Sequence, residues 1–167
     1  MKKFLMTLAA VICLAFAMPV AAQVTITKVA KIAPTDMVFM DMAVEAAKTN
    51  VKAGKTPSGA VIILNGAFRS SGRASEDCSA EVNAYTKSRL SSLKNAKVYT
   101  VNEPTTDTYV FLSKLGVDEI FFVNGREEVI KAGLAKAEDY NDAAVPADVT
   151  LSPLKNLEFP DATNLLK

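Results

Sequence analysis

The chain has 167 residues, 50% of them hydrophobic and 22% charged, a balance that fits one globular domain and excludes a disordered polymer. Its formal net charge is +1 and no dense run of Lys or Arg occurs, so the basic footprint of a nucleic-acid binder is missing. Histidine is absent and cysteine occurs twice, which excludes Ser-His-Asp and Cys-His nucleophile systems and His- or Cys-rich zinc sites.

Residues 1–22 read as a signal peptide. Met1-Lys2-Lys3 is a basic start, Phe4 to Ala17 is an apolar run, and Pro19 to Ala22 supplies small residues before Gln23. The run is shorter than the roughly 20 residues a membrane span needs. The expectation is therefore an exported protein, periplasmic or extracellular, without a membrane span. Cleavage would remove Lys2, Lys3 and no acid, which turns the net charge from +1 to −1. It would also remove Cys13 and leave Cys78 without an intramolecular disulfide partner. A thiol in that position is most simply a small buried apolar group, with a redox-sensitive thiol as the alternative.

Residues 23–35 form an N-terminal lead-in with some alternation, and a domain is expected over residues 36–137. From Asp36 apolar residues recur at three and four positions (Met37, Met40, Val44, Ala47, Val51), which predicts a helix capped by Thr35 or Asp36 and ended by Gly54. "PSGAVIILNGAF" predicts two strands joined at Asn65-Gly66, a dipeptide that tolerates the positive φ angles of a tight hairpin turn. A helix over Glu81–Lys94 follows, with Val82, Tyr85, Leu90 and Leu93 available for burial. "KVYTV" is a strand, "TDTYVFLSKLG" a helix closed by Gly116, "DEIFFV" a strand, and "REEVIKAGLAKA" a helix. Residues 138–167 carry three prolines and read as a loop-rich tail packing on the domain. Strands linked through helices predict an α/β fold, a three-layer α-β-α sandwich around a mixed sheet.

Two phrases concentrate the chemistry. "SEDCSAEVNAY" places Glu81 in the first turn of one helix, and "VNEPTTDTYV" opens another. Together with the element order and "PSGAVIILNG" on the hairpin, they resemble the cytidine deaminase-like superfamily, in its nucleobase, dCMP and tRNA-adenosine deaminase branch. The resemblance covers roughly residues 36–133. It implies two helix starts converging on a zinc ion, with a glutamate carrying protons between the bound water and the base. Glu81 falls on the proton-shuttle position. Ser79, Thr105 and Thr108 fall on the three ligand positions, and Pro104 on the motif proline. Hydroxyls replace every ligand, so no cofactor is expected here although the family uses zinc. Cys78 is one residue out of register. No asparagine follows the second hairpin strand, where many members place one against the substrate; "SSGRAS" stands there instead.

Plainer roles exist for each residue. Glu81 and Asp107 suit the positive end of a helix dipole, Ser79 or Asp77 caps one helix, and Thr105 or Thr106 caps the other. If the helix starts converge, Glu81, Glu103 and Asp107 form a carboxylate cluster for a hard cation such as calcium. The leading expectation is a non-catalytic, deaminase-fold protein that binds a nucleobase-like small molecule. Its pocket would be lined by Ser58, Gly59, Ser79, Glu81, Pro104 and Thr105, with hydroxyls, a carboxylate and anion-favouring helix N-termini. The alternative is a protein-interaction or structural module, for which the resemblance implies a homodimer. An active deaminase-type hydrolase is a third reading, burdened by the missing Lewis acid.

Overall fold

In the computed structural model, the structure describes residues 33–154 and 157–167; the expected signal peptide and most of the expected lead-in lie outside them. Helix α1 spans Pro34–Lys52, strands β1 and β2 span Gly59–Leu64 and Ala67–Arg73, and α2 spans Ala80–Ser88. Strand β3 (Ala96–Asn102), α3 (Thr106–Lys114), β4 (Glu119–Asn124) and α4 (Arg126–Lys131) follow. Two short 3-10 turns lead to β5 (Thr150–Pro153) and α5 (Pro160–Asn164). The sheet order is β2-β1-β3-β4-β5. β1 pairs antiparallel with β2 and β3, while β3, β4 and β5 run parallel.

The expected three-layer mixed sheet is what forms, because the central strands alternate two apolar faces. Ile62, Val98, Ile120 and Phe122 pack under α2 and α3 with Ala84, Tyr109 and Leu112. Val61, Tyr99, Phe121 and Val123 pack under α1 and α5 with Met40, Ala47 and Ala162. Tyr99 and Phe121 stack at 4.7 Å, and the Tyr99 hydroxyl donates to Asp36 at 2.5 Å, which fastens the start of α1. Burial, then the neighbouring Asp36 carboxylate, pushes the Tyr99 phenol far up, so this donor keeps its proton.

Several boundaries differ from the sequence reading for local reasons. Pro34 begins α1, one turn position where a missing N–H costs nothing, so Ala33 takes the cap instead of Thr35 or Asp36. Met37 and Val51, expected in the core, are 40% and 42% exposed because the buried stripe narrows to Met40, Ala43, Val44 and Ala47. α2 stops at Ser88, short of the expected Lys94, where Arg89 turns left-handed at φ 54°. Leu93 is still fully buried, but it reaches the core from a loop. α4 has only six residues. The hairpin turn is as expected, with Asn65 and Gly66 both at positive φ. The largest difference is β5: the tail expected to be loop-rich adds a parallel strand to the sheet.

Two helices lie unusually close to the sheet. A Cβ on Gly59 would sit 2.3 Å from the Ala43 carbonyl oxygen, and one on Gly72 would sit 2.1 Å from that of Ala80. These distances are shorter than contact, so only glycine lets α1 and α2 seat on β1 and β2. Gly59→Ala is expected to lower stability by about 1–3 kcal/mol through overpacking, read as a lower urea midpoint; an unchanged midpoint would show that α1 has room to shift.

Candidate functional site

One cavity of ≈ 310 Å³ opens at the edge where β3 ends and β1 begins. In a sheet of this kind the crevice at the carboxyl ends of the parallel strands is where ligands bind. The starts of α2 and α3 both face it: Ser79 and Glu81 from one, Thr105 and Thr108 from the other, with Pro104 between. Ser58 and Thr56 contribute the wall before β1, and Ser75 to Cys78 contribute the loop after β2. The sequence reading thus placed Ser58, Ser79, Glu81, Pro104 and Thr105 together, and the structure brings them together. Gly59 is the exception. It begins β1 beneath α1, where its missing side chain admits the helix backbone, and it does not line the cavity.

The walls are held by buried amides. Asn50, 2% exposed at the end of α1, donates to the carbonyls of Thr56 at 2.7 Å and Ala74 at 2.9 Å, joining the loops before β1 and after β2. Asn102 donates to the Pro57 carbonyl at 3.0 Å and accepts from Asn124, which also reaches the Ala162 carbonyl at 3.1 Å. The cavity floor is therefore tied across the sheet to α5.

Glu81 is the deep polar group. Its residue is 4% exposed, and the Thr100 hydroxyl on β3 donates to its Oε1. Its other oxygen has no hydrogen-bond partner among the described residues, and the side chain lines the cavity. The position in the first turn of α2 favours negative charge through the helix dipole. A carboxylate held on one oxygen and open on the other is a ready acceptor for N–H groups of a ligand.

Glu103 lies close by in sequence but is differently engaged. It is 5% exposed, and Arg126 saturates it: the main-chain N–H donates at 2.8 Å, Nε at 3.0 Å and Nη2 at 2.8 Å. The same guanidinium bonds Asp142 through Nη1 at 2.8 Å and lies over the Tyr140 ring at 5.2 Å. The Tyr140 hydroxyl donates to the Glu103 carbonyl at 3.1 Å, and its phenol is pushed far up, by burial first and the Glu103 charge second. Tyr140, Leu134 and Ala135 thereby become a wall of the cavity. Nothing in the sequence marked this wall, because it comes from the segment beyond α4. The sole available signal was an arginine at the start of a helix, opposite an acid expected near the other helix start.

The resemblance implies zinc at Ser79, Thr105 and Thr108. Their hydroxyls do not fit that ion. A hydroxyl keeps its proton at neutral pH, whereas zinc takes thiolate, neutral imidazole or carboxylate. They are also occupied: Ser79 Oγ accepts the Val82 N–H at 3.3 Å as an N-cap, and Thr105 Oγ1 bonds Thr108 Oγ1 at 3.3 Å. Thr105 holds the N-cap position of α3 without a side-chain bond to the backbone, unlike the cap expected of it. Thr106 is drawn away as well, accepting the Asn141 N–H at 2.7 Å. Among the described residues no group of three or more His, Cys, Asp or Glu side chains is arranged to hold a metal, so Glu81, Glu103 and Asp107 do not form the cluster considered for calcium. Arg126→Ala is expected to cost about 3 kcal/mol by stranding the Glu103 carboxylate, measured by chemical unfolding; a loss below about 1 kcal/mol, the size of an exposed pair, would show that water replaces the guanidinium freely.

No protein-family profile matches the chain, and no curated protein matches it either. Solved structures do. A guanine deaminase from Nitrosomonas europaea is 17% identical with a TM-score of 0.62, covering 89% of this chain and 90% of its own. NE0047 in complex with 2,6-diaminopurine is 15% identical with a TM-score of 0.65, over 81% and 82% of the two chains. A tRNA:A34 deaminase that edits A to I at the wobble position is 16% identical with a TM-score of 0.60, over 77% and 98%. Likeness at these identities concerns the backbone, and it agrees with the element order and the two converging helix starts: the chain has the cytidine deaminase-like fold.

Proposed function

We propose that this is an exported, non-catalytic protein that holds a nucleobase-like heterocycle in the cavity between the starts of α2 and α3. The observation that carries the reading is Glu81, buried, fixed by Thr100 on one oxygen and open to the cavity on the other. A ring with adjacent amino and imino N–H groups would donate to that carboxylate. The cavity volume of ≈ 310 Å³ lies at the small end for ligand sites, roughly 300–1,000 Å³, which suits one heterocycle better than a nucleotide. The complex of NE0047 with 2,6-diaminopurine supports the same ligand class by fold analogy.

The non-catalytic part of the reading rests on the donor set. Ser79, Thr105 and Thr108 supply no ligand of the kind that acidifies a bound water, and Glu81 alone has no electrophile to polarise a ring carbon. Export rests on the pattern of residues 1–22. A homodimer through the helices is carried over from the resemblance.

A thermal-shift titration with 2,6-diaminopurine and guanine is expected to raise the melting temperature with concentration, since ligand bound only to the folded state stabilises it by mass action. Glu81→Gln is expected to weaken that binding about tenfold, or ~1.4 kcal/mol, by turning a charge-assisted acceptor into a neutral one. Equal affinity of wild type and variant would remove Glu81 from the site. Metal analysis of the purified protein is expected to find substoichiometric zinc, and chelator treatment is expected to leave the melting temperature unchanged. One tightly held zinc per chain, or steady turnover of guanine or adenosine, would overturn the non-catalytic reading.

A further inference from the structure

The cavity is acidic to a degree that the helix starts alone do not suggest. Its lining residues include Glu76, Asp77, Glu81 and Glu103, and no lysine or arginine. Glu103 is spent on Arg126, which binds it through three N–H groups. The other three have no cationic partner among the described salt bridges. Glu76 and Asp77 are exposed at the mouth, while Glu81 lies 4% exposed at the bottom with one oxygen unbonded. The helix N-termini expected to favour anions each carry an acid in the first turn, Glu81 in α2 and Asp107 in α3, which offsets the positive end of each dipole.

We infer that the cavity selects an organic cation bearing planar N–H donors, of the amidinium, guanidinium or protonated amino-heterocycle class, and rejects phosphate-bearing ligands. This rests on the pocket reading above and adds the charge of the occupant. The physical argument has two parts. A buried carboxylate with a free oxygen is best satisfied by a ligand that brings both a donor and a positive charge, because the attraction of unlike charges in a site largely withdrawn from water adds to the hydrogen bond. The two exposed acids at the mouth then set the sign of the field along the entry path, drawing cations in and turning anions away. A nucleoside phosphate would bring its charge against three carboxylates with no lysine or arginine in the lining to receive it.

A set of three ligands with nearly one shape separates charge from fit. Benzamidine, benzamide and benzoate carry a cationic, neutral and anionic head on the same ring. Calorimetric titration of the purified full chain is expected to rank benzamidine at least tenfold tighter than benzamide, with no binding of benzoate. Affinity for benzamidine is expected to fall as salt rises. Glu81→Gln is expected to erase the preference. Glu76→Gln combined with Asp77→Asn changes two exposed residues, leaves the folded core intact, and is expected to weaken benzamidine several-fold and flatten its salt dependence. Benzoate or guanosine monophosphate binding as tightly as benzamidine would overturn the inference. Binding of 2,6-diaminopurine with none of benzamidine would overturn the charge selection and leave the pocket standing, whereas binding of neither would overturn both.

Discussion

A buried carboxylate must be paired, and in this protein the pairing of Glu103 organises everything beyond the central sheet. The side chain sits where β3 gives way to the loop before α3, nearly out of water. Arg126, the first residue of α4, meets it with a main-chain and two side-chain donors. That requirement places α4 against the end of β3. The second branch of the guanidinium takes Asp142, and its face takes the ring of Tyr140, so a stretch of little regular structure acquires a fixed position. A cavity with only the hairpin loops and two helix starts would be open on that side. The ion pair closes it.

The site inside that frame is defined by what its side chains are already doing. Ser79 caps α2, Thr105 and Thr108 bond one another, and Thr106 is turned toward Asn141. Hydroxyls used this way satisfy local backbone and each other, which is how helix starts are stabilised when no ligand organises them. Glu81 is the buried acid that keeps an unbonded oxygen directed at the cavity. Withdrawing most of a carboxylate from water is costly unless it is hydrogen-bonded. The Thr100 hydroxyl and the α2 dipole offset that cost on one side, and the other oxygen stays accessible from the cavity.

The close approach of α1 and α2 to the hairpin supports this geometry from below. Gly59 and Gly72 leave no Cβ between helix and strand, so the first turn of α2 is held near β2 and Glu81 can reach Thr100 on β3. Asn50 performs the matching task at the end of α1, donating to the Thr56 and Ala74 carbonyls and so joining the two loops. The Asn102–Asn124 pair carries the same logic across the parallel strands to α5. These amides gather the loops around the cavity.

Local chemistry is legible in the sequence because its causes are local. Asn65-Gly66 tolerates the turn, "AVIIL" and "EIFFV" are apolar enough to be buried on both faces, Ser79 caps, and Glu81 stands in the first turn of the helix that Ser79 caps. The order of helices and strands, with two helix starts following two strand ends, was therefore determined by the chain itself, whereas the convergence of Ser79, Glu81, Pro104 and Thr105 was only implied by the resemblance. What depends on distant partners was decided only by the tertiary structure. β5 is four residues long and bounded by Pro153, too short to show a period, and becomes a strand because β4 offers it an unpaired edge. Leu93 is buried from a loop because Arg89 ends α2 early and the Leu115 carbonyl receives its N–H at 2.7 Å. Gly59 belongs to the seat of α1 and not to the cavity, a distinction set by what packs above it. Tyr140 enters the site, and Glu103 leaves it as a free acid, through one arginine 23 residues away, since charges pair by proximity in space and not along the chain.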